Sequence, residues 1–330
     1  MSSAARAMAV ACLLAAGCAA GGREPHRRPP GAAPTPEAVS LLGEPLFAPP
    51  LAPERRRELE ERLSQARTLW ERNPADADAI IWLGRRTAYL GRFREAVEIF
   101  SEGLRRHPEN PRLYRHRGHR YVTLRKFDLA EADLERAARL IEGSPDEIEP
   151  DGLPNARNIP TSTLQSNIWY HLGLARYLRG DFARALEAYR RGIAVSRSPD
   201  NLVSMGHWLY MTLRRLGRDA EAADVLRRIR DDLDVIENGD YYRLLRMYQG
   251  KLAPEDVLKE SGAADSVGGA TAGYGIGNWH LYNGRREEAL RLFRQVVRGT
   301  QWPAFGHVAA EAEVARLEGR APSQPASSRP

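Results

Sequence analysis

Small and large apolar residues recur along this chain at a fixed spacing. Gly84 and Gly118 stand 34 apart, as do Phe93 and Phe127, and Ala96 and Ala130. Each interval reads as two helices joined at a turn glycine, as at Gly91-Arg92-Phe93. The small residues, Gly84 and Ala96 in the first interval, fall where two antiparallel backbones approach most closely. Large residues such as Phe93 and Phe100 fill the space beside them. One pair cannot bury its apolar face alone, so neighbouring pairs stack and share a core.

The residues within the period resemble those of the tetratricopeptide-repeat (TPR) family, and the period itself is that family's. Trp82-Leu83-Gly84, Gly91, Phe93, Ala96, Phe100 and Pro108 follow its order. Gly118, Tyr121, Phe127, Ala130, Leu134 and Ala137 give a second unit, and Trp169, Leu172-Gly173, Gly180, Phe182, Ala185 and Tyr189 a third. Turn glycines Gly217, Gly250 and Gly284 keep three more units in phase, although Glu255 in the fifth stands where a small alanine belongs. The resemblance implies an all-α TPR solenoid of about six helix-turn-helix units, near 77–110, 111–144, 166–199, 203–236, 237–269 and 270–303. Gly118 and Gly173 are 55 apart, one period plus 21, so an insertion at 145–165 separates units two and three. Glu54–Asn73 reads as a helix entering the array. Phe305–Leu317 reads as a closing helix within 304–318, with Ala309, Ala310 and Ala312 packing and Glu311, Glu313 and Arg316 facing water. The solenoid as a whole covers 54–318.

The ends carry a different pattern. Residues 1–17 hold one charge, Arg6, then the apolar run Ala7–Ala16, the plan of a secretory signal peptide. Leu14-Ala15-Ala16-Gly17-Cys18 resembles the lipobox of bacterial lipoproteins, in which the cysteine thiol takes a diacylglyceryl group before cleavage; Ala15 stands where leucine is usual. By that resemblance Cys18 is the lipidation site, and the cleaved chain is exported and membrane-anchored. Ala19 lacks the aspartate that retains many such proteins at the inner membrane, so the outer membrane, facing the periplasm, is the expected location in a Gram-negative cell. Residues 18–53 are Pro-rich and read as a disordered tether, and 319–330 as a disordered tail.

Charge changes the picture little. The formal net charge is +6, and only Lys126, Lys251 and Lys259 among the 49 basic residues are lysine. Arginines alternate with acids, as in Glu54-Arg55-Arg56-Arg57-Glu58, which is a solvated helix face and not a nucleic-acid patch. Beyond Cys18 there is no cysteine, hence no internal disulfide or thiolate metal cluster.

No P-loop, HExxH, CxxC or GxSxG occurs, and no cofactor is implied. Gly273-Tyr274-Gly275-Ile276-Gly277 reads as small residues at a tight helix crossing. Asp146, Glu147, Glu149 and Asp151 read as a solvated loop, since their spacing does not fit an EF-hand. His116 and His119 lie three apart on one helix but have no third ligand nearby in sequence, so no metal site is assigned. In TPR proteins each unit's first helix lines a concave, partner-binding groove. Carried over, that position falls on Trp82, Arg85 and Tyr89, then Arg112, Arg115, His116 and His119, then Tyr170 and His171, then His207 and Trp208. Such a basic, aromatic groove suits a protein or peptide partner with acidic side chains or a free carboxylate. Two competing readings stay open: Trp82 and Trp208 pack between helices, and Arg112, Arg115 and His119 form an ordinary solvated face. The resemblance therefore implies a non-enzymatic scaffold that touches a membrane only through its lipid. The alternatives are a module for a small acidic ligand or glycan, and an enzyme using His116, His119 or Asp151 beneath the insertion.

Overall fold

The computed structural model describes residues 35–320; the leader, Cys18 and the tail from 321 onward lie outside the described residues. Among those residues a short hairpin precedes fourteen helices. Helix α1 (Pro53–Arg72) enters the array. Six antiparallel pairs follow: α2 (Ala77–Tyr89) with α3 (Phe93–Arg106), α4 (Pro111–Thr123) with α5 (Phe127–Leu140), α6 (Leu164–Leu178) with α7 (Phe182–Val195), α8 (Pro199–Arg215) with α9 (Asp219–Arg227), α10 (Gly239–Tyr248) with α11 (Pro254–Glu260), and α12 (Val267–Tyr282) with α13 (Arg286–Val297). Helix α14 (Phe305–Leu317) ends the chain of pairs. The architecture is the all-α solenoid that the period predicts.

Local chemistry sets these elements. Most first helices of a pair are capped by a side chain that accepts from their free amides: Asp76, Asn110, Thr163, Ser198 and Ser266. Second helices follow a turn whose backbone takes positive φ, at Gly91, Gly180, Gly217, Gly250 and Gly284. In unit two that position is Arg125, with φ of 61°, a conformation an L-residue adopts at a cost of about 1–2 kcal/mol. Within a pair, a Cβ on Gly84 would sit 2.4 Å from the Phe100 ring, so only glycine lets α2 and α3 approach this closely. The Gly273–Gly277 run serves the same crossing role in α12, against Phe293 and Leu244.

First helices stack on one another along the inside of the coil, α2 on α4, α4 on α6 and α6 on α8. Helix α12 touches α8 as well as α10, and α14 reaches back to α6. The coil thus turns tightly enough to fill its own interior. Tyr177, Trp208 and Tyr274 meet there; the Tyr274 hydroxyl donates to Tyr177 at 2.8 Å and Trp208 stacks on Tyr274. Burying side chains of this size contributes roughly 1.5–3 kcal/mol each.

Two expectations are corrected at the ends of the array. Residues from 36 to the start of α1 are not an unfolded tether. Strands β1 (Ala38–Val39) and β2 (Pro45–Leu46) pair antiparallel. The hairpin is fixed because Glu37 accepts from the Arg94 amide at 2.9 Å, and the Phe47 carbonyl accepts from the Trp302 indole at 2.6 Å. The second correction concerns α14. Glu311 and Glu313 do not face water; each is 1% exposed, because α14 is enclosed by α12, α13, the hairpin and the rim of α6. Glu311 takes the Arg125 guanidinium at 2.5 and 3.1 Å and the Leu41 amide at 3.1 Å. Glu313 pairs with Arg215 and with Arg316, both at 2.6 Å.

Burial alone would raise the pKa of Glu311, but Arg125 and His307 outweigh it and bring it to about 2. A carboxylate depressed in the fold stabilises it fully above its unfolded pKa, near 4.5, and loses that contribution as pH falls through the folded value. Glu311→Ala leaves Arg125 buried without its partner and is expected to cost about 3–5 kcal/mol in urea unfolding at pH 7. Glu311→Gln should flatten the loss of stability between about pH 4.5 and 2. An unchanged urea midpoint for the alanine variant would show that the pair does not hold the coil closed.

Candidate functional site

The residues expected to line an open groove divide into two groups. Trp82, Arg85 and Tyr89 on α2, Arg112 and His119 on α4, and Tyr170 on α6 keep partial exposure. Arg115, His116, His171, His207 and Trp208 are buried. For the last two, close packing replaces the expected groove position. Trp208 donates to the Tyr170 hydroxyl at 2.8 Å, and that hydroxyl lies 2.9 Å from the hydroxyl of Tyr241. His207 sits between Tyr241 and Tyr248, and burial lowers its pKa to about 3.

The segment between α5 and α6 crosses the inner face as a strap. Its base is closed by Glu149 donating its amide to the Ser162 carbonyl and by the Leu164 amide donating to the Glu147 carbonyl. One side is pinned on units one and two. Glu149, expected in a solvated loop, is 6% exposed and pairs with Arg115 at 3.0 Å. The Gly152 carbonyl accepts from Arg86 at 2.5 Å. A Cβ on Gly152 would fall 1.7 Å from the Tyr89 hydroxyl, so the strap can lie this close only as glycine. The other side is pinned on the loop between α9 and α10. Glu237 accepts from Asn155 and Thr161, and Arg157 pairs with Asp234 at 2.7 Å. Asp200 in turn holds that loop by accepting from the amides of Ile236, Glu237 and Asn238.

Beneath the strap lie three histidines and several arginines. Arg115 donates to His116 Nδ1 at 2.9 Å, and Arg120 donates to His119 Nε2 at 2.5 Å. A guanidinium has only donors, so both rings accept, and each carries its proton on the other nitrogen. His171 donates from Nδ1 to the Asn167 carbonyl at 2.6 Å and packs on His119, with ring centroids 4.3 Å apart. Phe305, at the start of α14, closes the floor against His119, His171 and Tyr170. Burial and the neighbouring guanidiniums hold all three histidines well below 6.5. Burial likewise lowers Arg120 to about 10, with Arg115 and Arg85 adding to the effect. Among the described residues no cluster of three or more metal-binding side chains occurs.

Arg86, Arg120, Glu149 and Phe305 belong to this site, and sequence reasoning does not single them out as site residues. A signal exists for two of them: Arg86 and Arg120 are 34 apart and hold the same place in units one and two.

Comparison with known proteins bears on the helices that build the site. Residues 83–145 and 164–201 match a tetratricopeptide-repeat family model, and residues 270–301 match a second. The matched segments are tetratricopeptide repeats. The gap between the first two matched segments, 146–163, is the strap, which is no part of the repeat. No curated protein matches. Among solved structures, a tetratricopeptide repeat protein from Parabacteroides merdae is 16% identical with a TM-score of 0.46, covering 78% of this chain and 93% of that one. YrrB, described as a TPR protein with an unusual peptide-binding site, is 17% identical with a TM-score of 0.39, covering 75% and 97%. A structure of MamA is 14% identical with a TM-score of 0.41, covering 60% and 95%. These superpositions are loose, and the repeat architecture here stands on the helix pairs and the family matches.

A histidine depressed in the fold binds its proton less readily than in the unfolded chain, so falling pH favours unfolding once the unfolded rings titrate, below about pH 6.5. NMR of the imidazole carbons is expected to show His116, His119 and His171 still neutral at about pH 6, while the urea midpoint falls between about pH 7.5 and 5.5. Ring titration near 6.5 at these three positions would contradict their enclosure.

Proposed function

We propose that this protein is a non-enzymatic scaffold of the cell envelope, anchored by a lipid on Cys18, whose repeats hold a protein or peptide partner. The observation that carries the reading is the part-exposed group at the first-unit end of the inner face. There the guanidiniums of Arg85 and Arg86 lie 4.5 and 4.9 Å from the Trp82 ring centroid. Arg112 adds a further cation at the edge, held by Asp78 at 2.5 Å. Arginines stacked on tryptophan are pre-ordered donors of the kind that dominate protein interfaces. Their charge suits acidic side chains or a free carboxylate. Arg115 and His116 are committed to the strap, and His171, His207 and Trp208 to the packed interior. The partner surface is therefore the Trp82, Arg85, Tyr89, Arg112 end and not a groove running the length of the coil.

The anchor is supported by the Leu14–Cys18 resemblance and by the apolar leader before it, with an outer-membrane, periplasm-facing location in a Gram-negative cell. Among the described residues no helix is long and apolar enough to cross a membrane, so membrane association on this reading depends on the lipid.

Two experiments on cells expressing the full chain test the halves separately. Cys18→Ala is expected to move the protein from the membrane to the soluble fraction; retention with membranes removes the anchor. Crosslinking in the native envelope is expected to trap a defined partner whose yield drops about tenfold or more in Trp82→Ala/Arg112→Glu, with the circular dichroism spectrum unchanged. Undiminished capture by that folded double variant would remove the partner surface.

A further inference from the structure

The ground beneath the strap carries more positive charge than its neighbours balance. Arg85, Arg86, Arg115 and Arg120 converge there from two adjacent first helices. The strap returns two carboxylates, Glu149 paired with Arg115 and Asp151 close enough to Arg85 to feel its charge. Among the described residues Arg120 has no carboxylate partner; its contacts are the His119 ring and the Phe93 face. All three histidines are neutral and add no charge to the cluster. One buried donor at this spot has no hydrogen-bond partner among the described residues: Arg115 Nε, on a side chain 8% exposed. Glu149 Oε2 and His171 Nε2, whose ring proton sits on Nδ1, are unpartnered acceptors and mark the side an anion would avoid. Guanidiniums drawn out of water without compensation are costly, by several kcal/mol per ion before pairing. Elsewhere in the interior this chain sets carboxylates against its arginines, as at Arg125–Glu311 and Arg215–Glu313.

We propose that the Arg120 and Arg115 guanidiniums beneath the strap, beside His119, form a binding site for a small, multiply charged oxyanion, a phosphate-bearing or polycarboxylate metabolite. Arg120 supplies the planar two-donor fork such groups take. Arg115 Nε supplies a second donor, and Phe305 with Tyr170 supplies an apolar wall. Size follows from the strap, which is pinned at both sides and touches Tyr89 and Arg85 through Gly152. A strap pinned on both sides favours a compact anion over a peptide segment. Its donors, Arg120 and Arg115, are distinct from Trp82 and Arg112 of the partner surface.

The test is calorimetric titration of the purified full chain with inorganic phosphate, pyrophosphate and citrate, at low and at physiological salt. Saturable one-to-one binding to at least one probe is expected, weaker at the higher salt. Which probe wins distinguishes a phosphate-bearing from a polycarboxylate ligand. Arg120→Gln should weaken binding about tenfold or more, whereas Arg191→Gln on the outer surface should leave it unchanged. Because Arg120 is uncompensated without ligand, Arg120→Gln is also expected to unfold at a higher temperature than the wild type in probe-free buffer. Arg120→Lys should keep the charge yet recover little of the affinity. Absence of binding by every probe, equal binding by Arg120→Gln, or a lowered unfolding temperature for that variant would each overturn the site. Binding of an acidic peptide alone would overturn it too, and would assign the charge to the partner surface.

Discussion

The closed form of this solenoid depends on one buried ion pair, Arg125 with Glu311. Its members are far apart in sequence, and each is almost fully excluded from water. Arg125 stands at the repeat position that Gly91 holds ahead of the second helix of unit one, and it accepts the left-handed backbone that glycine takes without strain. The guanidinium then reaches three separate parts of the chain: the Thr123 carbonyl of its own turn, the Trp302 carbonyl ahead of α14, and both oxygens of Glu311. Glu311 also accepts from Leu41 in the hairpin. A single charge pair thereby fixes the entrance hairpin, the unit-two turn and the last helix to one another. A weaker bond would not hold, because α14 brings two carboxylates into a space with no water to solvate them.

That pair explains which parts of the fold are legible in the sequence. The repeat is visible because each unit solves the same local problem, small residues at a helix crossing and large ones beside it, so the solution recurs once per period. Closure is not visible, because the number of units per turn of the coil arises from many small packing rotations that no single residue records. Carrying a repeat position forward therefore yields an open groove, and the pattern of Glu311, Glu313 and Arg316 yields a wet face. The alternation of charge with alanine in α14 looks identical whether water or arginine answers the glutamates. One clue lies in the period itself: Arg125 replaces a glycine in a position where four later units keep one. The Pro-rich start misleads for a similar reason. Composition argues against helix there, but a hairpin that borrows its partners from α3, α14 and the Trp302 turn leaves no periodic trace.

The candidate site divides along the same line. Trp82, Arg85, Arg112 and His119 are reachable by carrying a repeat position forward. Arg86 and Arg120 are equally reachable, but arginine is so abundant in this chain that their match in phase does not stand out. Glu149 and Gly152 are not reachable, since their roles are set by where the strap lands. An acid in a Pro-rich loop is ordinarily solvated. Here Arg115 waits opposite it, and a glycine three residues on permits the approach.

Stability is distributed unevenly between the two closures. Helix α14 is buried along nearly its whole length and tied by two ion-pair clusters, so displacing it exposes a large apolar surface and several charges at once. The strap is held by a handful of bonds, several at the surface, where a hydrogen bond contributes about 0.5–1.5 kcal/mol and a solvated ion pair such as Arg157–Asp234 adds little. Ile148, Leu153 and Ile159 on it remain exposed, so lifting it forfeits little apolar contact. Local opening follows the least stable element, and that element covers the arginines. The strap is therefore the part of the inner face that opens first, while the coil that carries it stays shut.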